Sequence, residues 1–266
     1  MCFDVRRKIP ATRLRRVRGV AGTKVAPGVW RAGTRFVNWY VVDAGDAGVT
    51  VVDGGLPGYA AQLDQALAAA GRARADVRAV VLTHGHVDHT GIAAPLSAAG
   101  ATVHLHPADA PLAADPRTNR TERPLLPYLR YPATLAFVAH ALTQGALKPP
   151  PMPASVGMAD GEVLDVPGQP VVTHAPGHTD GSCVLEFRDH GVVFVGDALC
   201  TSSPATGRRS DPQVQTRGSN RSSAQSLASL DRLAGVQARL VLPGHGTPYD
   251  GGVEAAAASA RRIGCR

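Results

Sequence analysis

The sequence predicts an α/β (α+β) protein, on three observations. Short runs of β-branched and aromatic residues recur along the chain and alternate with Ala-rich stretches of helical length. Two halves share one layout, strands followed by helices, with no repeat at a fixed period. In both halves histidines and aspartates stand where an apolar strand ends, on turns that carry glycine.

Taken in order, β-formers cluster between Val29 and Asp53 as VWRAG, FVNWYVVDAG and VTVVDGG, predicting antiparallel strands with turns at Gly33 and at Ala44–Gly48. Pro57 opens a helix, PGYAAQLDQALAAAG, that Gly71 closes. RAVVL (78–82) is short and continuously apolar, as a strand buried on both faces would be, and ATVHLH (101–106) is the next strand. Residues 107–160 hold ten of the 21 prolines around one predicted helix, 132–145. An insertion of that length is expected to be functional or flexible, and its helix is a candidate lid. Strands resume at 171–175, 183–187 and 192–197, and 201–220 is polar and turn-rich. A helix at 221–234, a strand at 239–244 and an Ala-rich helix from 251 complete the chain.

With 266 residues, 44% of them hydrophobic and 18% charged, the chain can bury a sizeable core. The formal charge of +7 belongs to the N-terminus: residues 1–18 carry Arg6, Arg7, Lys8, Arg13, Arg15, Arg16 and Arg18 against Asp4 alone. The rest is nearly neutral, so residues 1–22 read as a basic, flexible extension, and no specific nucleic-acid partner is expected. No apolar run approaches the roughly 20 residues of a membrane span. The basic start lacks the apolar stretch of a secretory signal. Cys2, Cys183, Cys200 and Cys265 form no disulfide framework, so a cytoplasmic location is expected.

The strongest local signal is THGHVDHTG, residues 83–91, in which His84, His86, Asp88 and His89 follow a buried strand. Imidazole nitrogens and carboxylate oxygens suit zinc and similar divalent ions. In an extended or turning loop, His84 and His86 can point to one side and Asp88 and His89 to the other, feeding two ions from one loop. Three further ligand-type residues leave other strands on glycine-bearing turns: His178 in APGHTDGS, Asp197 in VVFVGD and His245 in LPGHG.

In that order, H-x-H-x-D-H, G-H, G-D and G-H-G resemble the metallo-β-lactamase superfamily over about residues 29–250. The resemblance implies a four-layer αββα sandwich over 23–266, as a single domain carrying the Pro-rich helical insertion at about 107–160. It implies His84, His86 and His178 as ligands of a first metal, Asp88, His89 and His245 as ligands of a second, and Asp197 as the carboxylate bridging both. Asp53, in VVDGG, matches a position that supports the metal loop. The cofactors implied are two divalent ions, Zn2+ foremost, with Fe or Mn as alternatives. Such a pair shares and acidifies a water while polarising the substrate, and Asp88 is the catalytic residue expected to orient it.

The function expected is therefore dinuclear metal-dependent hydrolysis of a small ester, thioester or lactone. Asp197 argues against β-lactam hydrolysis as the main activity, because true β-lactamases of the family lack the bridging carboxylate. The short stretch after His245 argues against glutathione thioesters. Acyl-homoserine lactonases resemble the chain but carry Tyr where Cys200 stands. The tRNA-processing nucleases of the family need a projecting arm that the sequence lacks. A mononuclear iron persulfide dioxygenase is the alternative from another class. His106 at a strand end, Cys200, and Arg208 with Arg209 are further candidates to lie near substrate, while His104 and His174 read as structural.

Overall fold

Alternating burial along the strands decides the architecture. The computed structural model describes residues 22–265; the extension expected over 1–22 lies, Gly22 apart, outside them. The first half builds β1 (Thr23–Ala26), β2 (Val29–Gly33), β3 (Asn38–Asp43), β4 (Val49–Val52), α1 (Leu63–Ala69), β5 (Val77–Val81), α2 (Val87–Thr90), α3 (Ala93–Ala98) and β6 (Thr102–Leu105). The insertion holds α4 (Ala110–Ala114), α5 (Pro132–Thr143) and the two-residue strand β7 (Val156–Gly157). The second half builds β8 (Val171–His174), β9 (Cys183–Phe187), β10 (Val192–Gly196), β11 (Cys200–Ser202), β12 (Arg209–Gln213), α6 (Ser223–Ala228), β13 (Leu240–Pro243) and α7 (Val253–Ile263).

Strands β1 to β7 form one sheet in chain order, and β13-β10-β9-β8 form a second. Successive side chains of a strand point to opposite faces. In β3, Trp39 and Val41 pack with Leu63, Leu67 and Leu96 of the flanking helices, while Tyr40 and Val42 meet Leu185, Phe187 and Phe194 of the facing sheet. In β10 the same alternation sends Val192 and Phe194 between the sheets, and Val193 and Val195 against Val253, Ala256 and Ala260 of α7. Both faces of both sheets are thus buried, giving the layers helix, sheet, sheet, helix.

Chain direction then gathers the predicted ligands. Strands β4, β5 and β6 run parallel, as do β10 and β13, and β8 runs with β10 because both are antiparallel to β9. Asp53, His84, His178, Asp197 and His245 all follow the C-terminal ends of these strands, so they emerge on one rim. The two sheets are tied together there. Asn38 Nδ2 donates to the carbonyls of Pro243 (2.8 Å) and Gly246 (3.0 Å), and the Tyr40 hydroxyl donates to Pro243 O (2.7 Å).

Four sequence expectations need correction. The helix expected from Pro57 begins as a 3-10 segment, Pro57–Gln62, and becomes α-helical only at Leu63, because Tyr59 is drawn into the core. The helix expected over 221–234 is α-helical at 223–228 and 3-10 at 229–233, where the Ser229 hydroxyl donates to Pro176 O. The polar stretch 201–220 is not all turn: β11 and β12 pair as a ribbon, with Pro212 tolerated in a two-stranded edge. In RAVVL, Arg78 is exposed, so only Ala79 to Leu82 are buried.

Candidate metal centre

The segment after β5 cannot continue as strand, because His86 caps the short helix α2 and turns the chain at 84–87. The turn sends His84 and His86 one way and Asp88 and His89 the other. Ligand atoms of His84, His86 and His178 form one group, and those of Asp88, His89 and His245 another. Asp197 groups with His84 and His89, one from each. Its Oδ2 lies 3.5 Å from His178 Nε2 and 3.0 Å from His245 Nε2, and its Oδ1 lies 3.6 Å from His89 Nε2. Asp88 Oδ2 stands 3.5 Å from His245 Nε2 and 3.8 Å from His89 Nε2. All seven side chains predicted from the sequence therefore converge. Asp88 is the most exposed carboxylate of the group, at 15%, against 4% for Asp197.

Hydrogen bonds fix the rings of His84, His89, His178 and His245 so that one nitrogen of each faces the cluster. Asp53, with its backbone in the left-handed region (φ 58°), accepts the Thr83 N–H (2.8 Å) and hydroxyl and the His89 Nδ1–H (2.9 Å). Aspartate is among the few residues that enter this region without severe cost. His84 Nδ1 bonds Thr83 Oγ1 (3.0 Å), His178 Nδ1 bonds Asn220 Oδ1 (3.2 Å), and His245 Nδ1 donates to Phe36 O. These partners leave the Nε2 atoms of His84 and His89 buried without a hydrogen bond. His86 Nδ1 and His178 Nε2 face each other at 2.9 Å.

The electrostatics have two halves. Burial and the neighbouring imidazoles hold His84 well below the ordinary histidine range, and burial holds His178 down to about 4. Burial also opposes charge on His89, but Asp53, Asp88 and Asp197 outweigh it and raise His89 to about 10. His245 rises against its burial through Asp197, and Asp197 is held well below the carboxylate range by His245, His89 and His178 despite its own burial. The carboxylate-rich half thus attracts positive charge, and the imidazole-rich half presents neutral nitrogen lone pairs. Both suit a divalent cation.

Gly244 supplies a further fit observation. A Cβ there would stand 2.4 Å from Asp197 Oδ1 and 2.6 Å from His89 Cε1, inside the ring of donors. Gly244→Ala is expected to lower bound metal at least ten-fold with the fold retained, as judged by metal analysis beside circular dichroism. Full metal content in the variant would place the cations elsewhere.

Sequence reasoning missed three positioning groups. Asp109, 1% exposed and contributed by the insertion, accepts the N–H of Gly85 (2.8 Å), the N–H of Gly181 (2.7 Å) and the Thr179 hydroxyl (2.7 Å). It thereby ties the 84–89 loop to the turn that carries His178. Gln215 Nε2 donates to Asp197 Oδ2 (3.3 Å), and Asn220 Nδ2 donates to Gln215 O (2.8 Å). No local motif marks any of them. Cys200 does lie at the centre, with Sγ 3.5 Å from Asp197 Oδ1, and burial together with Asp197 raises its thiol well above the ordinary range. His106, expected near the site, instead stacks on His174 (centroids 4.1 Å apart) and accepts the Ala108 N–H. His104 bonds Thr102 Oγ1, and His174 bonds Asp180 O. From α5, the Phe137 ring meets His245 edge to face (6.0 Å), while His140 stacks on Phe36 and bonds the Tyr59 hydroxyl (2.9 Å).

Comparison with known proteins agrees with this geometry. A family model described as "Metallo-beta-lactamase superfamily" matches residues 32–245. The chain is 32% identical over 183 residues to "Uncharacterized protein Rv2581c" of Mycobacterium tuberculosis, covering 66% of this chain and 72% of that one. Among solved structures, the metallo-beta-lactamase family protein TTHA1429 from Thermus thermophilus is 26% identical, with a TM-score of 0.66 over 90% of this chain and 80% of its own. A metallo-beta-lactamase from Cronobacter sakazakii, 21% identical, shares the fold with a TM-score of 0.64 over 92% of this chain and 93% of its own.

Proposed function

The chain belongs to the metallo-beta-lactamase superfamily, and from that premise we propose that it is a dinuclear metal-dependent hydrolase of a small ester, thioester or lactone. The observation that carries this reading is the convergence of two three-residue donor groups about the single carboxylate of Asp197. His84, His86 and His178 would hold one cation, and Asp88, His89 and His245 the other, with Asp197 between them. The donor set of imidazole and carboxylate suits zinc first, with iron or manganese as alternatives. Bound there, two divalent cations supply an acidified water and Lewis-acid polarisation of the scissile carbonyl.

The side chains of the protein do the rest. Asp88, the least buried carboxylate of the group, would orient the attacking water and accept its proton for delivery to the leaving group. Asp53, Asn220 and the Phe36 carbonyl lock the ring nitrogens of His89, His178 and His245, which keeps the donors preorganised. Phe137, with Phe36 behind it, forms an apolar wall beside His245 that limits water and favours an acyl substrate of modest size.

The test has two parts. Metal analysis of protein purified without chelators is expected to give two cations per chain, and a panel of esters, thioesters and lactones is expected to reveal turnover lost on chelation and restored by zinc. One iron per chain with consumption of oxygen would favour the persulfide dioxygenase reading instead. His245→Ala is expected to lower metal content from two to about one, because the second group loses one of its three donors and the first keeps all of its own. A variant that still holds two cations would overturn the partition between the groups.

A further inference from the structure

A cavity of about 320 Å³ lies between the insertion and the segment 203–217, and none of the seven converging side chains lines it. Four arginines do: Arg123 and Arg130 from the insertion, Arg208 and Arg217 from the opposite wall, with the rings of Tyr128 and Tyr131 between them. No acidic side chain is among the lining residues. Arg217 meets Glu122 outside the cavity at 3.5 Å, and among the described residues Arg123, Arg130 and Arg208 form no ion pair. Glu122 offsets Arg217 and lies near Arg123, and the guanidinium groups left over give the cleft an excess of positive charge that attracts anions.

A second, independent observation points the same way. Ser203 and Gln213 also line the cavity, are 3% and 7% exposed, and leave Ser203 Oγ and Gln213 Nε2 buried without a hydrogen-bond partner. Unpaired buried donors are uncommon in folded proteins and call for a partner. Hydroxyl, amide and guanidinium groups together are a donor set, and the ligand that satisfies them is rich in acceptors. Guanidinium matches phosphate oxygens in bidentate geometry. The two tyrosines offer stacking surface to a flat group beside the phosphate, and Arg130 already lies over Tyr131, 5.0 Å from the ring centroid.

The cavity wall adjoins the metal centre through one stretch of chain. Gln213, Val214, Thr216 and Arg217 line the cavity, and Gln215 among them donates to Asp197. Gln213 also pairs across the ribbon with Cys200, whose thiol touches Asp197. We infer that this cleft receives a phosphate-bearing portion of the substrate, which makes the substrate class a phosphorylated ester or thioester. The inference rests on the hydrolase reading for the word substrate, and on the cleft alone for the phosphate.

Phenylphosphonate, a flat dianion that esterases cannot cleave, is the probe, with benzoate as the monoanionic control. Titration calorimetry on the full, metal-loaded chain is expected to show phenylphosphonate binding more tightly than benzoate and weakening with salt. Binding is expected to weaken at least ten-fold in the double variant Arg130→Gln/Arg208→Gln, and to survive in Asp197→Asn. No binding, or binding lost in Asp197→Asn and kept in the arginine variant, would overturn the cleft and place the anion on the cations. A second arm compares a phosphorylated thioester with its uncharged counterpart. The arginine variant is expected to raise KM for the first at least ten-fold relative to the second, and an equal KM for both substrates in the unmodified enzyme would overturn the substrate assignment. Absence of all turnover with phosphonate binding intact would sink the hydrolase reading and leave the anion site standing.

Discussion

Asp197→Asn is expected to strip the centre of metal and activity while leaving a folded protein. The substitution keeps the shape of the side chain, so packing gives little reason for change. It removes the negative charge that faces His89, His178 and His245, and it turns an amide N–H toward nitrogens that must donate electron pairs. Breaking a buried charge pair from one side costs ~3–5 kcal/mol, which corresponds to roughly two to four orders of magnitude in cation affinity. Metal content by mass spectrometry, with unfolding followed by circular dichroism, checks it. A variant retaining two cations per chain and full turnover would remove Asp197 from the role between the two groups.

Asp109→Ala is expected to act on the fold as much as on the site. The carboxylate satisfies the N–H groups of Gly85 and Gly181 and the hydroxyl of Thr179, all buried. Truncation orphans these donors and opens a gap, and each orphaned buried donor costs ~1–3 kcal/mol. A total on the order of 3–9 kcal/mol is a large part of the ~5–15 kcal/mol that holds a domain together. Chemical denaturation of the metal-free protein is the measurement, since it separates the loss from any change in metal binding. Asp109→Asn, which keeps one acceptor oxygen, is expected to recover part of the stability. If the Ala variant unfolded within about 1 kcal/mol of the parent, little more than the effect of an ordinary surface change, the tie between the two loops would be irrelevant to stability.

Legibility in the sequence followed the range of the interaction that fixes each residue. His84, His86, Asp88 and His89 stand within six positions, and chemistry so concentrated reads directly. His178, Asp197 and His245 were legible because each leaves a strand on a glycine turn, and parallel strands carry such ends to one rim. Asp109, Gln215 and Asn220 were not, because they are ordinary polar residues whose partners stand tens of positions away or belong to the site itself. The strands of the two large sheets followed from local composition except at the edges of the first, where β1 (Thr23–Ala26) and the two-residue β7 (Val156–Gly157) carry too short a signal. The β11–β12 ribbon did not, since its residues are polar and its pairing is imposed by the surroundings. The 3-10 segment at Pro57–Gln62 has the same cause: burial of Tyr59 overrides a helix that propensity alone would begin at Pro57.

The tie of Asn38 and Tyr40 to Pro243 bears on how the protein is made. Both rim-forming halves must be present before either cation has a full set of donors, and His245 leaves the ribosome on the order of 160 residues after His84. At ordinary translation speeds that delay amounts to roughly ten to thirty seconds. The first group of donors is complete once His178 and Asp197 have emerged, whereas the second waits for His245, so the two positions would fill in sequence, the second only when β13 reaches the edge of its sheet.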